Sequence, residues 1–246
     1  METLKILQNS WDQLLEGLWI TVLVTVLGCL GTLVISFILG LMAGSKNIAT
    51  RGVARTIIEF FRGTSLVVQL FWFVFAMPIM FKVKFDSVIA VGIVVLALNY
   101  GAYGSEIVRG AINAVPKAQW EACVALNFTF WQKLSLVIIP QAWVGMVPPF
   151  SNLAIQVLKG SALVSLIGLV DLTLAAQQLR TKASAEGAIV IFAALLVIYF
   201  IMSFLIAAGM RYLERRAKAS IGQAPPEKQS IFARTPVKAK EAGGVV

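Results

Sequence analysis

The sequence predicts an all-α, polytopic membrane protein with five transmembrane helices and a helix–turn–helix between the third and fourth. Three observations lead there. Apolar residues make up 59% of the 246 residues and charged residues 13%, about half the share in soluble domains. Mean hydropathy is +0.84, so water could not solvate the surface this chain would expose. The apolar residues also gather into runs of the roughly 20 residues that cross about 30 Å of hydrocarbon.

Taken in order, the expected spans lie near Leu18–Ala43, Thr56–Phe81, Val88–Val108, Leu134–Val157 and Gly187–Ala208. The first is too long for a signal-peptide core, and no small-residue cleavage site follows promptly, so it is expected in the mature protein. Pro148 and Pro149 interrupt the fourth and are expected to break or bend it. No internal repeat is evident across the spans.

The net charge of +9 reads as topology rather than nucleic-acid binding, because the bases flank apolar runs. One set of loops holds Lys46, Arg51, Arg55, Arg109, Lys117, Lys133 and the tail from Arg211; the other holds Lys5, Lys82, Lys84, Arg180 and Lys182. The richer set is expected in the cytoplasm, with the N-terminus outside and the C-terminus inside. Residues 1–218 form the membrane domain. Residues 219–246, rich in Gly, Pro, Lys and Gln, cannot bury a core and are expected to be a disordered cytoplasmic tail. Arg211, Arg215, Arg216 and Lys218, just inside the last span, either anchor topology or bind anionic membrane lipid.

Enzyme chemistry finds little support. There is no histidine, and the two cysteines, Cys29 and Cys123, lie in a span and a loop. No metal site or cofactor is expected, and no nucleophile–base set appears. The chain also lacks G-x-x-x-x-G-K-[ST], so it cannot cradle ATP phosphates in a P-loop.

Val115–Pro140 is too polar to span and too patterned for a plain loop. Pro116 suits a first helical turn, and Lys117 to Leu126 reads as a short helix. Asn127 stands where it would stop, and asparagine tolerates the left-handed C-terminal cap better than any residue but glycine. Thr129 and Gln132 have capping-box spacing for a second helix, Phe130–Ile139, that meets Pro140. The physics leaves open whether this unit rests on the bilayer surface or docks a cytoplasmic partner.

The same segment resembles the EAA loop of permease subunits in ATP-driven (ABC) importers. Glu121, Ala122, Cys123, Asn127, Val137, Ile139 and Pro140 keep that motif's spacing, with Cys for Ala, Asn for Gly, and Val and Ile exchanged. Phe60–Leu70 is similar to the second-helix signature of the polar amino-acid branch, with Ser65 where Pro is usual. Asn99–Gly110 resembles its third-helix signature, and Leu158–Gly168 the stretch after its fourth helix, with Gly160 where Asp is common. The resemblance covers about Leu15 to Arg216. It implies a type I importer permease that pairs with a second, homologous permease. ATPase subunits would lie beneath the pair and an extracytoplasmic solute-binding protein above it. It implies that Glu121, Ala122, Cys123 and Asn127 couple the chain to the ATPase. Lys159–Leu163 and the third-helix signature look closest to permeases for ectoine and hydroxyectoine.

The competing functions are an ion-gradient-driven secondary transporter or channel subunit, which usually needs paired repeats, and a membrane enzyme. Charged groups in lipid need partners. Glu59 with Arg62, and Glu106 with Arg109, have the i, i+3 spacing of local ion pairs. Gln69, Asn99, Tyr100, Tyr103, Asn152 and Gln156 lie deeper, and either line a path or bond helix to helix.

Overall fold

The computed structural model describes residues 11–220. Among them there is no strand, and the order is helical throughout. We label the helices α1 (Trp11–Ala43), α2 (Ile48–Gly63), α3 (Leu66–Phe81), α4 (Val88–Ala114), α5 (Lys117–Ala125), α6 (Phe130–Ile167), α7 (Leu172–Arg180) and α8 (Ala185–Ser220). Four of these, α1, α4, α6 and α8, are long and apolar enough to cross a membrane; α2 and α3 together make the fifth candidate.

The expected second span is where sequence and structure part. Thr56–Phe81 is not one straight helix: α2 and α3 meet at 104°. Asn47 starts α2 by accepting the Ala49 amide on its side chain at 2.9 Å. Along α2, Ala54, Ile58 and Phe61 are buried, while Arg55, Glu59 and Arg62 are exposed. That single apolar stripe marks an amphipathic helix rather than a lipid-immersed one.

Helix α1 packs chiefly on α4. The approach is close because glycines stand at the crossing. A Cβ at Gly40 would sit 2.9 Å from the Ser105 carbonyl oxygen, and one at Gly104 would overlap the Ser36 side chain. Small residues let membrane helices gain dispersion contacts where no hydrophobic drive exists between them. One buried cluster joins α1, α3, α4 and the end of α6 through Val24, Leu70, Leu96 and Val164. Another joins α4 to α6 through Val108, Ile138, Met146 and Phe150.

Two expectations for the fourth span are also corrected. Phe130–Ile139 does not end at Pro140 but runs on, so that α6 forms a single run of 38 residues. Pro148 and Pro149 lie inside unbroken helix. A proline ring collides with the carbonyl region four residues earlier; for Pro149 that position is Gly145, which has no side chain to add to the crowding. The irregularity falls earlier, in a π-helical turn at Lys133–Ile138. Helix α8 continues through Ser220, past the boundary expected at residue 218. The rest of the proposed tail and Lys5 lie outside the described residues.

Candidate functional site

Two surfaces carry the functional candidates: the α5–α6 corner and one face of α6. The corner is held by backbone geometry. The Phe128 amide donates to the Cys123 carbonyl at 3.0 Å and the Asn127 amide to the Val124 carbonyl at 2.9 Å. This is the paired closure of a Schellman motif, with Asn127 at the left-handed position, φ 56°. The next helix starts at once. Thr129 N donates to Gln132 Oε1 at 2.8 Å, and Gln132 N donates to Thr129 Oγ1 at 3.4 Å, a reciprocal capping box. No flexible residue separates the two caps.

On α5, Cys123 is buried and Trp120 half-buried against the cluster of Val115, Leu134 and Ile138. Cys123 therefore seats the helix and offers nothing to a partner. Glu121 and Ala122 face outward. So do Val124, Leu126, Phe130 and Trp131, each at least 60% exposed. An acid with several large apolar residues exposed within ten positions of it is the composition of a binding face.

The polar candidates divide. Gln69 and Asn99 are buried and bonded to each other, Asn99 Nδ2 donating to Gln69 Oε1 at 3.0 Å. Both side-chain amides also donate to the Phe61 carbonyl at 3.0 Å, and Gln69 Nε2 donates to Thr64 Oγ1 at 2.6 Å. They satisfy the backbone left open where α2 ends, and so they pin the bend instead of lining a path. Tyr100 is half-buried, and its ring fills the space a side chain at Gly160 would take. Tyr103 is exposed, its hydroxyl donating to the Arg62 carbonyl at 3.3 Å.

The expected ion pairs also divide. Arg109 meets Glu106 at 2.6 Å. Glu59 and Arg62 form no ion pair; Arg62 instead stands over the Tyr103 ring, 5.4 Å from its centroid, where the ring's negative face attracts it.

Asn152 and Gln156 are exposed on α6, in register with exposed Gly145, Pro149 and Lys159. Alternating steps of four and three keep these residues on one helix face. A face with an amide pair and a lysine does not suit lipid. Beside it, a cleft of about 870 Å³ opens between α4 and α6 at the α5 end, lined by Glu106, Gly110, Pro116, Gln141, Gly145 and Pro149. The cleft thus runs from Pro116, at the start of α5, to Gly145 and Pro149 on the polar face.

Sequence reasoning missed a buried carboxyl. Asp171 caps α7, its Oδ1 accepting the Leu174 amide at 3.0 Å, while its buried Oδ2 has no partner among the described residues. Thr21 accepts the Leu172 amide at 3.1 Å, and Thr173 and Tyr199 share a hydroxyl bond of 3.0 Å. Burial pushes the Asp171 carboxyl above its ordinary value. Asp171 followed by Leu172 and Thr173 is itself a helix-start pattern, so the cap was legible, but its burial was not.

The comparisons with known proteins agree on one assignment. Residues 36–219 match the model of the family described as binding-protein-dependent transport system inner membrane component. The chain is 45% identical over 204 residues to the "Probable amino-acid ABC transporter permease protein y4tF" of Sinorhizobium fredii, covering 81% of this chain and 84% of the relative. It is 35% identical to the glutamine transport system permease protein GlnP of Escherichia coli, covering 83% and 93%, and 34% identical to the L-cystine transport system permease protein TcyB of Bacillus subtilis, covering 85% and 88%. Among solved structures, an amino acid ABC transporter crystallised with histidines superposes with a TM-score of 0.74 at 32% identity, covering 88% of this chain and 99% of that one. The MetNI methionine ABC transporter, in an inward-facing conformation, shares the fold with a TM-score of 0.71 at 19% identity, covering 85% and 98%. With three quarters of its length matched by the family model and relatives above 30% identity along most of their length, the chain belongs to the family of binding-protein-dependent transport system inner membrane components.

Proposed function

We propose that the chain is one membrane half of an ATP-driven importer for polar amino acids, with α5 as the element that receives the ATPase. The observation that carries this is the α5 corner. It is a short helix locked by a Schellman closure and a capping box, and it presents Glu121, Ala122, Val124 and Leu126 outward. A unit without a hinge passes on displacement instead of absorbing it. The chain carries no P-loop, so its energy must arrive through such a surface.

The solute would pass along the α6 face carrying Asn152 and Gln156, against a second permease that closes the other side. Asn152 and Gln156 supply donors and acceptors suited to a zwitterion. The relatives are named for glutamine and cystine, which favours amino acids over ectoine or hydroxyectoine. A solute-binding protein would deliver the solute at the α7 end. The α5 corner would face the cytoplasm, as the charge asymmetry predicts, leaving the N-terminus outside. A cytoplasm-only reporter fused after Lys218 should then be active, and the second permease, in our reading a homologue, should copurify with the ATPase.

The deciding experiment is Glu121→Lys. At matched expression, uptake should fall while the protein still inserts, and either ATP hydrolysis should persist without uptake or the ATPase should fail to copurify. Normal uptake with a normal ATPase complement would remove α5 from the coupling role. Transport by the purified chain alone, without ATP, would favour an ion-driven transporter.

A further inference from the structure

Helices α1 and α8 both lean on α6, and a groove of about 780 Å³ lies between them. Along α6 it extends from Trp143 to Val157, about 21 Å of helix. That exceeds the depth of one leaflet, half of about 30 Å of hydrocarbon, so an acyl chain fits along it. Its rim is open. Val26 and Leu30 on α1 and Leu205 and Leu213 on α8 are each at least 48% exposed.

The groove faces away from the polar face of α6. Ala154 lines it, whereas Asn152 and Gln156 lie two residues to either side, each about 200° round the helix. A second permease closing over the polar face would therefore leave this groove at the periphery, toward lipid. The second permease rests on the function proposed above; the direction of the groove does not.

One end of the groove carries charge. Gly209 and Leu213 line it, and Arg216 follows on the same helix face at i+7. The Arg216 guanidinium stands over the ring of Tyr212, 5.1 Å from its centroid, and Tyr212 is itself a lining residue. Arg216 has no carboxylate partner among the described residues, whereas nearby Lys218 is paired with Glu214 at 2.6 Å. Trp143 lines the groove toward the same end. An apolar trough longer than one leaflet is deep, with Trp and Tyr near its end and an unneutralised guanidinium just beyond, is complementary to an amphiphile with an acyl chain and an anionic head.

We infer that this groove is a binding site for an anionic phospholipid, its acyl chain lying between α1, α6 and α8 and its phosphate meeting Arg216.

The test uses the full chain with whatever subunits accompany it. It is reconstituted in vesicles of phosphatidylethanolamine and phosphatidylglycerol, extracted in mild detergent, and its retained lipid is counted by native mass spectrometry. Wild type should retain phosphatidylglycerol preferentially. Arg216→Ser should cut that retention about fivefold, the effect of one basic group at an anionic surface. Gly209→Phe should abolish it, since a Cβ at Gly209 meets nothing within 4 Å and the ring has the groove to enter. Subunit composition and thermal unfolding should match wild type in both. Undiminished phosphatidylglycerol on Gly209→Phe, or an unchanged head-group preference on Arg216→Ser, overturns the site. So does a cross-link from Leu205→Cys to another protein chain. If Gly209→Phe does not assemble, wild type decides through fluorescence quenching by brominated lipids. The quenching that Trp143→Phe removes should be greater for brominated phosphatidylglycerol than for brominated phosphatidylethanolamine, and equal quenching overturns the proposal.

Discussion

Asn99 Nδ2 donates to Gln69 Oε1 at 3.0 Å, and both amides donate to one acceptor, the Phe61 carbonyl. This three-way junction ties α4 to the bend between α2 and α3. Asn99→Leu should lower stability by about 1–2 kcal/mol, the range for bonds between membrane helices. Gln69→Leu should do the same. The double variant should cost clearly less than the two singles combined, because each single leaves the other amide unpaired. Unfolding of the detergent-solubilised protein by chemical denaturant measures all three.

Gly160 and Tyr100 form a second coupled pair. Gly160→Asp should lower the yield of folded protein, because the new side chain enters the Tyr100 ring. Tyr100→Ala combined with Gly160→Asp should restore the yield. Size-exclusion profiles of the three variants decide it; failure of the rescue would assign the defect to the buried charge instead of the collision.

Asn127 holds φ 56°. Asn127→Gly should fold and transport normally, since glycine enters that region without strain. Asn127→Val should cost about 1–2 kcal/mol and loosen the corner. Uptake should fall more than membrane insertion does, and the comparison of uptake with immunoblotted protein reads the difference.

Asp171 lies outside the spans, and burial raises its carboxyl pKa. A carboxyl that binds its proton more tightly when folded makes stability fall as pH rises. The fall starts near the unfolded value of about 3.9 and is complete once pH passes the folded pKa. Asp171→Asn keeps an oxygen for the Leu174 amide and removes the charge. Its thermal midpoint should exceed that of wild type at neutral pH and show a flatter pH profile. A wild-type profile that rises with pH through this window, unaltered by Asp171→Asn, would contradict the assignment.

Asn152→Ala and Gln156→Leu test the path. Both positions are exposed, so thermal stability should hardly change. Uptake of the preferred amino acid at limiting concentration should fall about tenfold, the effect of losing one hydrogen bond to a charged group. Uptake equal to wild type in both variants would move the path off this face.

Counting apolar residues located the spans but misread the second, because hydropathy is a sum and the bend is a local event. The apolar run continues through Gly63, Thr64 and Ser65, where the helix turns. The missed signals were Asn47 as a cap and a charged stripe at 51, 55, 59 and 62 running beside the apolar one of Ala54, Ile58 and Phe61. The α5 corner was more legible, since Asn127, Thr129 and Gln132 act through contacts a few residues apart. The partners of Gln69 and Asn99, 30 positions apart, depend on packing that no local pattern encodes. The prolines misled for a related reason: whether a proline breaks a helix depends on how the packing around it holds the chain, and Pro148 and Pro149 stay inside helix here.

Helix α6 runs for 38 residues from the α5 corner to Ile167, about 57 Å of rod at helical rise. Its middle falls at Pro148, level with the cleft and the polar face. Rotation about that midpoint by about 10° would sweep each tip through an arc of about 5 Å, in opposite directions. If α6 turns as one body, a push on Phe130 toward the molecule's axis would draw Ile167 away from it. In the importer proposed above, such a motion would narrow the passage at one end of α6 as it widens it at the other, with no need for separate gates to be synchronised.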